Sequence, residues 1–451
     1  MNYSRIIYAF SIACSVIVVH AQDQQLPSSL SFKEAVQIGL KNNMLLNQQK
    51  NQLDYTQVNK TSALLQMGPT VSAQGSLYRQ DGNSFNQNEG RVVNGIIDFV
   101  NGSINANMPV FAGFTYLNQY RAANNNNEAQ LYKVARANQD VIASVSNQYL
   151  LCLLDQELVK VNDQNVKAQK IIYDQLKEQA ELGAKAESDV YNQEALWKNA
   201  ELLLVRARNM LRNDIATLAT TLQVDPIPYF QVEPVNWSIS ELFSDSTALE
   251  VMYTTAMEKR SDLKQATYAE KGARYFYHAR KGYYFPNIYA GVSYGSRYNY
   301  IKGESNRSFT EQFKNDNTNL GYGLSINIPI FNAWAYKSQA AFAKVTYKNA
   351  QLTKKNAEVT LKSDVIKAYQ NFNDAKKGYI SAESAQKAGE LAYRAEKEKY
   401  DLGVSNIVQL STVNQTYVKA QGDFQNAKFN LMFQKLLINY AMGTLQIEDI
   451  P

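Results

Sequence analysis

Imidazole, thiolate and paired carboxylates carry most acid–base, nucleophilic and metal chemistry. This chain of 451 residues is poor in the first two, with only His20, His278, Cys14 and Cys152. His20 and Cys14 fall in a stretch that reads as a secretory signal peptide over residues 1–21: Arg5, an apolar run from Ile6 to Val19, then Val19-His20-Ala21 ahead of Gln22. The apolar run continues past Ala13-Cys14, which argues against lipid attachment at that cysteine. Processing leaves one imidazole and one thiol, too few for a zinc site or a nucleophile–histidine pair. Cys152 lies in Tyr149-Leu150-Leu151-Cys152-Leu153-Leu154, which reads as a packed helix face. No Gly-x-x-x-x-Gly-Lys loop occurs, so nucleotide-driven work is not expected. Neither enzymatic activity nor a cofactor is expected.

The formal charge, 46 basic less 41 acidic residues, is +5, and the basic residues are scattered along segments that also carry Glu and Asp. A nucleic-acid partner would require a concentrated basic face. After the leader no run of ~20 apolar residues occurs, so a membrane passage would have to be made of β-strands.

The elements that organise the chain are duplicated. Gly68-Pro69-Thr70-Val71 and Asn107-Met108-Pro109-Val110-Phe111 return as Phe285-Pro286-Asn287-Ile288 and Asn327-Ile328-Pro329-Ile330-Phe331, and Leu182-Gly183-Ala184 returns as Leu402-Gly403-Val404. The reading is an internal repeat: a first unit over 22–223, a linker over 224–245 rich in Pro, and a second unit over 246–451. Each unit runs helix, strand, loop, strand, long helix, Gly turn, helix.

Four segments alternate with period two. Ile104, Ala106 and Met108 stand opposite Ser103, Asn105 and Asn107, while Leu320, Tyr322, Leu324 and Ile326 stand opposite Gly321, Gly323, Ser325 and Asn327. Val71, Ala73 and Leu77, and Ile288, Ala290, Val292 and Tyr294, show the same pattern. Pro69, Pro109, Pro286 and Pro329 are expected to mark the strand boundaries. The segments 79–100 and 297–319, rich in Gly, Asn and polar residues, read as loops. Each run suits a tilted membrane strand of ~9–11 residues, with a wet face of amides and hydroxyls and a lipid-facing wall. Four strands cannot close a barrel in lipid, where ~8 is the usual minimum, so several copies must pool them.

Between Phe114 and Leu182 there is neither Gly nor Pro, and a second long stretch runs from Asn332 to Leu402. Each turns at its glycine, Gly183 or Gly403, into a shorter partner ending near Leu222 or Ala441, giving two antiparallel hairpins. A secreted or periplasmic coiled-coil scaffold or adhesin would account for these helices but leaves the strands without a purpose.

In the order of these motifs, together with Arg260-Ser261-Asp262-Leu263 and the closing Ala441-Met442-Gly443-Thr444-Leu445, the chain resembles the TolC-like outer-membrane efflux family over nearly its whole mature length. The resemblance implies a mainly α fold with a β-barrel contribution: four strands from each chain of a homotrimer build a 12-stranded barrel in the outer membrane, and the helices form a periplasmic tunnel. It implies a passive exit duct for efflux or type I-like secretion, joined through a periplasmic adaptor to an inner-membrane transporter, with the adaptor docking at the tips Leu182, Gly183, Leu402 and Gly403. The family's gate pair falls on Asp189 and Tyr400. Its basic gate residue is replaced by Ser405 and its two gate-lining acids by Gln409 and Thr412, a departure that predicts weak cation trapping.

Overall fold

The computed structural model describes residues 29–86, 90–225, 230–235, 237–244 and 248–450. The expected signal peptide and part of the expected linker lie outside the described residues. The first half runs β1 (Ser29–Leu30), α1 (Phe32–Asn42), α2 (Met44–Leu65), β2 (Thr70–Asn86), β3 (Arg91–Ala112), α3 (Thr115–Glu181) and α4 (Glu187–Leu222). A connection containing β4 (Gln231–Val232) and α5 (Ile239–Ser244) leads to α6 (Leu249–Lys259) and α7 (Ser261–Gly282). Then follow β5 (Asn287–Ile301), α8 (Phe309–Glu311), β6 (Asn319–Asn327), α9 (Ala335–Asp401) and α10 (Ile407–Met442).

The two copies match in length: α3 and α9 each hold 67 residues, and α4 and α10 each hold 36. At ~1.5 Å per residue the long helices span ~100 Å. Among the described residues no helix is long and apolar enough to cross a membrane.

The main core lies where α1 and α6 pack on the middle of the long helices. Ser31 and Glu34 form a capping box that starts α1, and Phe32, Ala35, Val36 and Gly39 make its buried stripe. Tyr149 of α3 stacks on Phe32 at 4.6 Å between ring centroids, and its hydroxyl donates to the carbonyls of Leu30 and Glu233, both at 2.9 Å. The segment expected to be a linker is thereby built into the core: β4 pairs in parallel with β1, and Phe230, Val232 and Leu242 are buried. Arg260, almost fully buried, is held by Asp262 and by Asp364 of α9 at 3.0 Å, so its charge is compensated inside the fold.

Asp155 of α3 is buried, with Oδ2 lacking any donor from the protein. Burial, reinforced by a hydrogen bond to the Asp214 side chain of α4 and by that group's charge, lifts its pKa to about 7. Because the folded pKa lies above the unfolded value of an ordinary Asp, the folded chain binds more protons between about pH 4 and 7. Stability is full below that window and falls as pH rises through it. Asp155→Asn is expected to raise stability at pH 8 by about 1–3 kcal/mol and to do little at the acid end of the window. Thermal melting across that range checks this; a pH slope unchanged by Asp155→Asn would show that Asp155 does not titrate in that window.

The four membrane-type strands form one antiparallel sheet in the order β2-β3-β5-β6. Its register aligns the faces read from alternation: Ala73 pairs with Ile104 and Ile104 with Tyr294, while Ser72 pairs with Asn105 and Asn105 with Ser293. Across the last ladder Val292 pairs with Tyr322 and Ser293 with Gly321. Over these ladders one face of the sheet is therefore apolar and the other is amide, hydroxyl and glycine, while farther along the strands Arg79 and Asp98 join the first face and Tyr78, Phe99, Ile97 and Ile301 the second.

Two expectations need correction. The segment 79–100 is not a loop: β2 and β3 continue to Asn86 and from Arg91, and β5 continues to Ile301. Cross-strand pairs hold the extension, with Arg79 on Asp98 at 2.7 Å and Tyr78 stacked on Phe99 at 4.8 Å. Pro109 does not end its strand; it sits inside β3 where the ladder with β5 slips between Pro109 and Phe111, a bulge that tolerates the missing N–H. Pro69 and Pro286 immediately precede β2 and β5, and Pro329 follows β6 by two residues.

Sheet passes to helix through paired left-handed residues, Gly113 and Phe114 before α3 and Ala333 and Trp334 before α9. At the first joint the backbones of Gly113 and Gly282 touch, and a Cβ on Gly113 would lie 2.2 Å from the Gly282 carbonyl oxygen.

Candidate functional site

Both hairpin tips are built by the same backbone device. Gly183, at φ 76°, follows α3, with its N–H donating to Ala180 O at 2.9 Å and the Ala184 N–H donating to Gln179 O at 2.8 Å. Gly403, at φ 75°, repeats this with Tyr400 O at 3.0 Å and Lys399 O for Val404 N at 2.9 Å. The pattern is a Schellman motif, which requires the left-handed residue that glycine supplies without strain. It leaves Leu182, Leu402 and Val404 about four-fifths exposed, apolar side chains at the far end of the molecule from the sheet.

Just above the tips, Ile172 and Leu176 of α3 meet Ile407 and Leu410 of α10, with Val190, Tyr393 and Tyr400 packed around them. This cluster joins the first hairpin to the second. Tyr400 is half-buried there, and burial, then the Asp189 and Asp401 charges, raise its pKa. Lys185 Nζ lies 5.6 Å from its ring centroid. Asp189 stands close to Tyr400, but among the described residues no hydrogen bond joins the pair. Within one chain the ring is fixed by packing.

Gln409 and Thr412 lie three apart in the first turns of α10, and Ser405 precedes the cap of that helix. Asn406 caps that helix, its Oδ1 accepting from Gln409 N at 2.9 Å, and Thr412 Oγ1 donates to Val408 O at 2.9 Å. Gln409 and Thr412 are exposed on the face turned from the cluster. Ser405 instead donates its hydroxyl to Glu396, a nearly buried carboxylate that also faces Lys399 at 3.5 Å. Sequence reasoning missed Glu396: nothing in Ala395-Glu396-Lys397 separates it from the solvated charges nearby. Higher up, Asn414 Nδ2 donates to Asn165 Oδ1 at 3.0 Å, and Gln193, fully buried, donates to the carbonyl and side-chain oxygens of Gln169. Amides thus meet between the two hairpins, at Asn414 and Asn165, and within the first hairpin, at Gln193 and Gln169.

Among the described residues no group of His, Cys, Asp and Glu could hold a metal ion. What the geometry offers is a two-faced sheet at one end, ~100 Å of paired helices, and two apolar tips at the other.

This architecture has known counterparts. The outer membrane efflux protein family matches residues 35–222 and 252–435. The chain belongs to that family. Among its relatives is the outer membrane protein TolC of Salmonella enteritidis, 24% identical over 373 residues that cover 75% of this chain and 74% of that one. The toluene efflux pump outer membrane protein TtgC of Pseudomonas putida is 22% identical over 308 residues, 66% of this chain and 57% of that protein. Of solved structures, the Campylobacter jejuni CmeC outer membrane channel superposes with a TM-score of 0.79 at 17% identity, covering 92% of this chain and 85% of that one. The outer membrane protein VceC of Vibrio cholerae gives 0.79 at 13%, covering 91% and 96%. As an outer membrane efflux protein the chain is a membrane component with periplasmic helical hairpins. The gap between the two matched segments, 223–251, contains β4 and α5, the elements particular to the join between repeats.

Proposed function

We propose that the chain is the outer-membrane exit duct of an efflux or type I-like secretion system and works as a homotrimer. The observation that carries this reading is the sheet, apolar on one face and polar on the other, with β2 and β6 as open edges. An unpaired strand edge in lipid leaves backbone N–H and C=O groups unsatisfied, so β2 of one copy must meet β6 of the next. Three copies give twelve strands, enough to close.

Helix packing points the same way. α7 lies between α3 and α9, whereas its counterpart α2 packs along α3 and leaves Tyr55, Val58 and Leu65 exposed. On α9, Phe342 and Leu352 are likewise exposed. A second copy seated with its α9 against α2 buries both sets. In this assembly the first repeat spans 22–223 and the second 246–451, joined by 224–245. Cargo moves passively along the tunnel, a periplasmic adaptor docks on Leu182, Gly183, Leu402 and Gly403, and an inner-membrane transporter supplies the energy.

The tips are the gate. Gln409 and Thr412 face the opening, Ser405 is tied back to Glu396, and the Tyr400 ring, packed in its apolar cluster beside Asp189, holds the hairpins together. In planar bilayers the purified protein is expected to form trimeric pores of low conductance. Tyr400→Ala removes the ring from its apolar cluster, at a cost of about 2–4 kcal/mol, and raises conductance several-fold; Tyr400→Phe keeps the packing and stays near the unaltered level. If the Phe variant opens as far as the Ala variant, a hydroxyl latch to Asp189 holds the gate instead. A soluble species without conductance overturns the duct.

A further inference from the structure

The sheet carries several charges, and all but one of its arginines are neutralised nearby. Arg79 pairs with Asp98 on the apolar face at 2.7 Å, and Arg91 at the strand end meets Glu304 at 3.2 Å. Arg297 is different. The register places it beside Asn101, between the Ser103–Gly295 and Phe99–Asn299 pairs, on the polar face. Among the described residues its guanidinium has no ion pair and no side-chain hydrogen bond, and it is the only charged residue on that face below the strand end.

Its backbone is held firmly. Above Gly295 the ladder with β6 has ended, and side chains replace the missing strand: Asn317 Nδ2 donates to Arg297 O at 3.0 Å. The buried Gln312 amide accepts from Asn299 N at 3.1 Å and donates to Asn299 O at 3.0 Å. The turn that supplies these groups leans over the opposite face. The Phe313 ring lies over Gly102, and Ser296 Oγ donates to Phe313 O at 2.6 Å, both on the apolar side.

We infer that Arg297 is a selectivity residue of the barrel lumen, favouring passage of anions. The inference rests on the exit-duct reading, which turns the polar face inward and brings three copies of Arg297 to one level of the pore. A guanidinium stays charged at any relevant pH, and a ring of fixed charge of one sign inside a low-dielectric wall concentrates the opposite ion. The uncharged Ser, Asn and Gly around it offer no opposing carboxylate.

The test is the reversal potential of the reconstituted trimer across a KCl gradient at about 0.1 M, where the Debye length is about 10 Å. Arg297→Gln is expected to lower the chloride-to-potassium permeability ratio by about twofold or more, and Arg297→Glu to lower it further. Arg297→Lys should keep the ratio, and Arg79→Gln, on the lipid-facing side, should leave it unmoved. At about 1 M salt the differences should shrink, since screening then acts within about 3 Å. An open pore whose ratio is the same with Arg297 and with Gln at that position overturns the assignment while sparing the duct; an unaltered protein that forms no pore overturns the duct itself.

Discussion

Val292→Arg is expected to abolish assembly in the outer membrane, while Asn105→Arg, one pair away on the other face, leaves assembly largely intact. Val292 sits mid-sheet with Ala106 on one side and Tyr322 on the other, and Asn105 pairs with Ser72 and Ser293. A cation facing lipid near the midplane costs about 2–4 kcal/mol, and three copies in one barrel raise that to roughly 6–12 kcal/mol. That total rivals the whole stability of an ordinary domain, about 5–15 kcal/mol. Arginine at Asn105 instead points into water. The heat-modifiable trimer recovered from outer-membrane fractions measures both variants, and equal yields would show that the faces are assigned the wrong way or that the sheet does not sit in lipid.

Gly113→Ala is the second large effect. The added methyl carbon would stand 2.2 Å from the Gly282 carbonyl oxygen and 2.8 Å from Phe285 Cβ, at a residue whose φ of 57° already disfavours a side chain. Neither backbone can retreat without moving the start of α3 or the end of α7, so a loss of about 3–5 kcal/mol is expected. The matching position in the second repeat is Ala333, at φ 50°. Ala333→Gly relieves left-handed strain against a gain in unfolded-chain freedom and should change stability by less than about 1 kcal/mol. Melting of the trimer in detergent separates the two; a mild effect of Gly113→Ala would mean that the strand-to-helix joints are looser than drawn.

The repeat, the hairpins and both faces of the sheet were legible because they are periodic. A proline-marked motif that recurs after about 220 residues, a run of 69 residues without Gly or Pro, and strict alternation through Ser103 to Met108 each constrain many positions at once. Features resting on a single pair of residues were not legible. Gly82, Gly90 and Gly95 made 79–100 look like a loop, and only the pairing of Arg79 with Asp98 and Tyr78 with Phe99 reveals a strand. Pro109 read as a boundary because the bulge in β3 that accommodates it shows only in the pairing of that strand with β5. The connection after Leu222 read only as a linker because the hydroxyl that fastens it comes from Tyr149, far away in the chain. At the tips, the positions of Leu182, Gly183, Leu402 and Gly403 followed from local turn chemistry, whereas Glu396 beneath Ser405 is set by tertiary packing. A free coiled-coil rod accounts for the hairpins but gives no role to a two-faced sheet with open edges.

The equal helix lengths of the two repeats impose a constraint on how such a chain can change. Each protomer reaches the same depth with two hairpins, and a three-copy ring would present six ends in one plane. Losing a single turn from one helix pair would harm neither helix by itself, yet it would withdraw three of the six ends by about 5.4 Å and leave a scalloped rim. The same loss in both repeats would only shorten the duct. A change of helix length that keeps the rim level therefore needs matched insertions or deletions, one per repeat. Engineering a longer or shorter conduit requires the same symmetry.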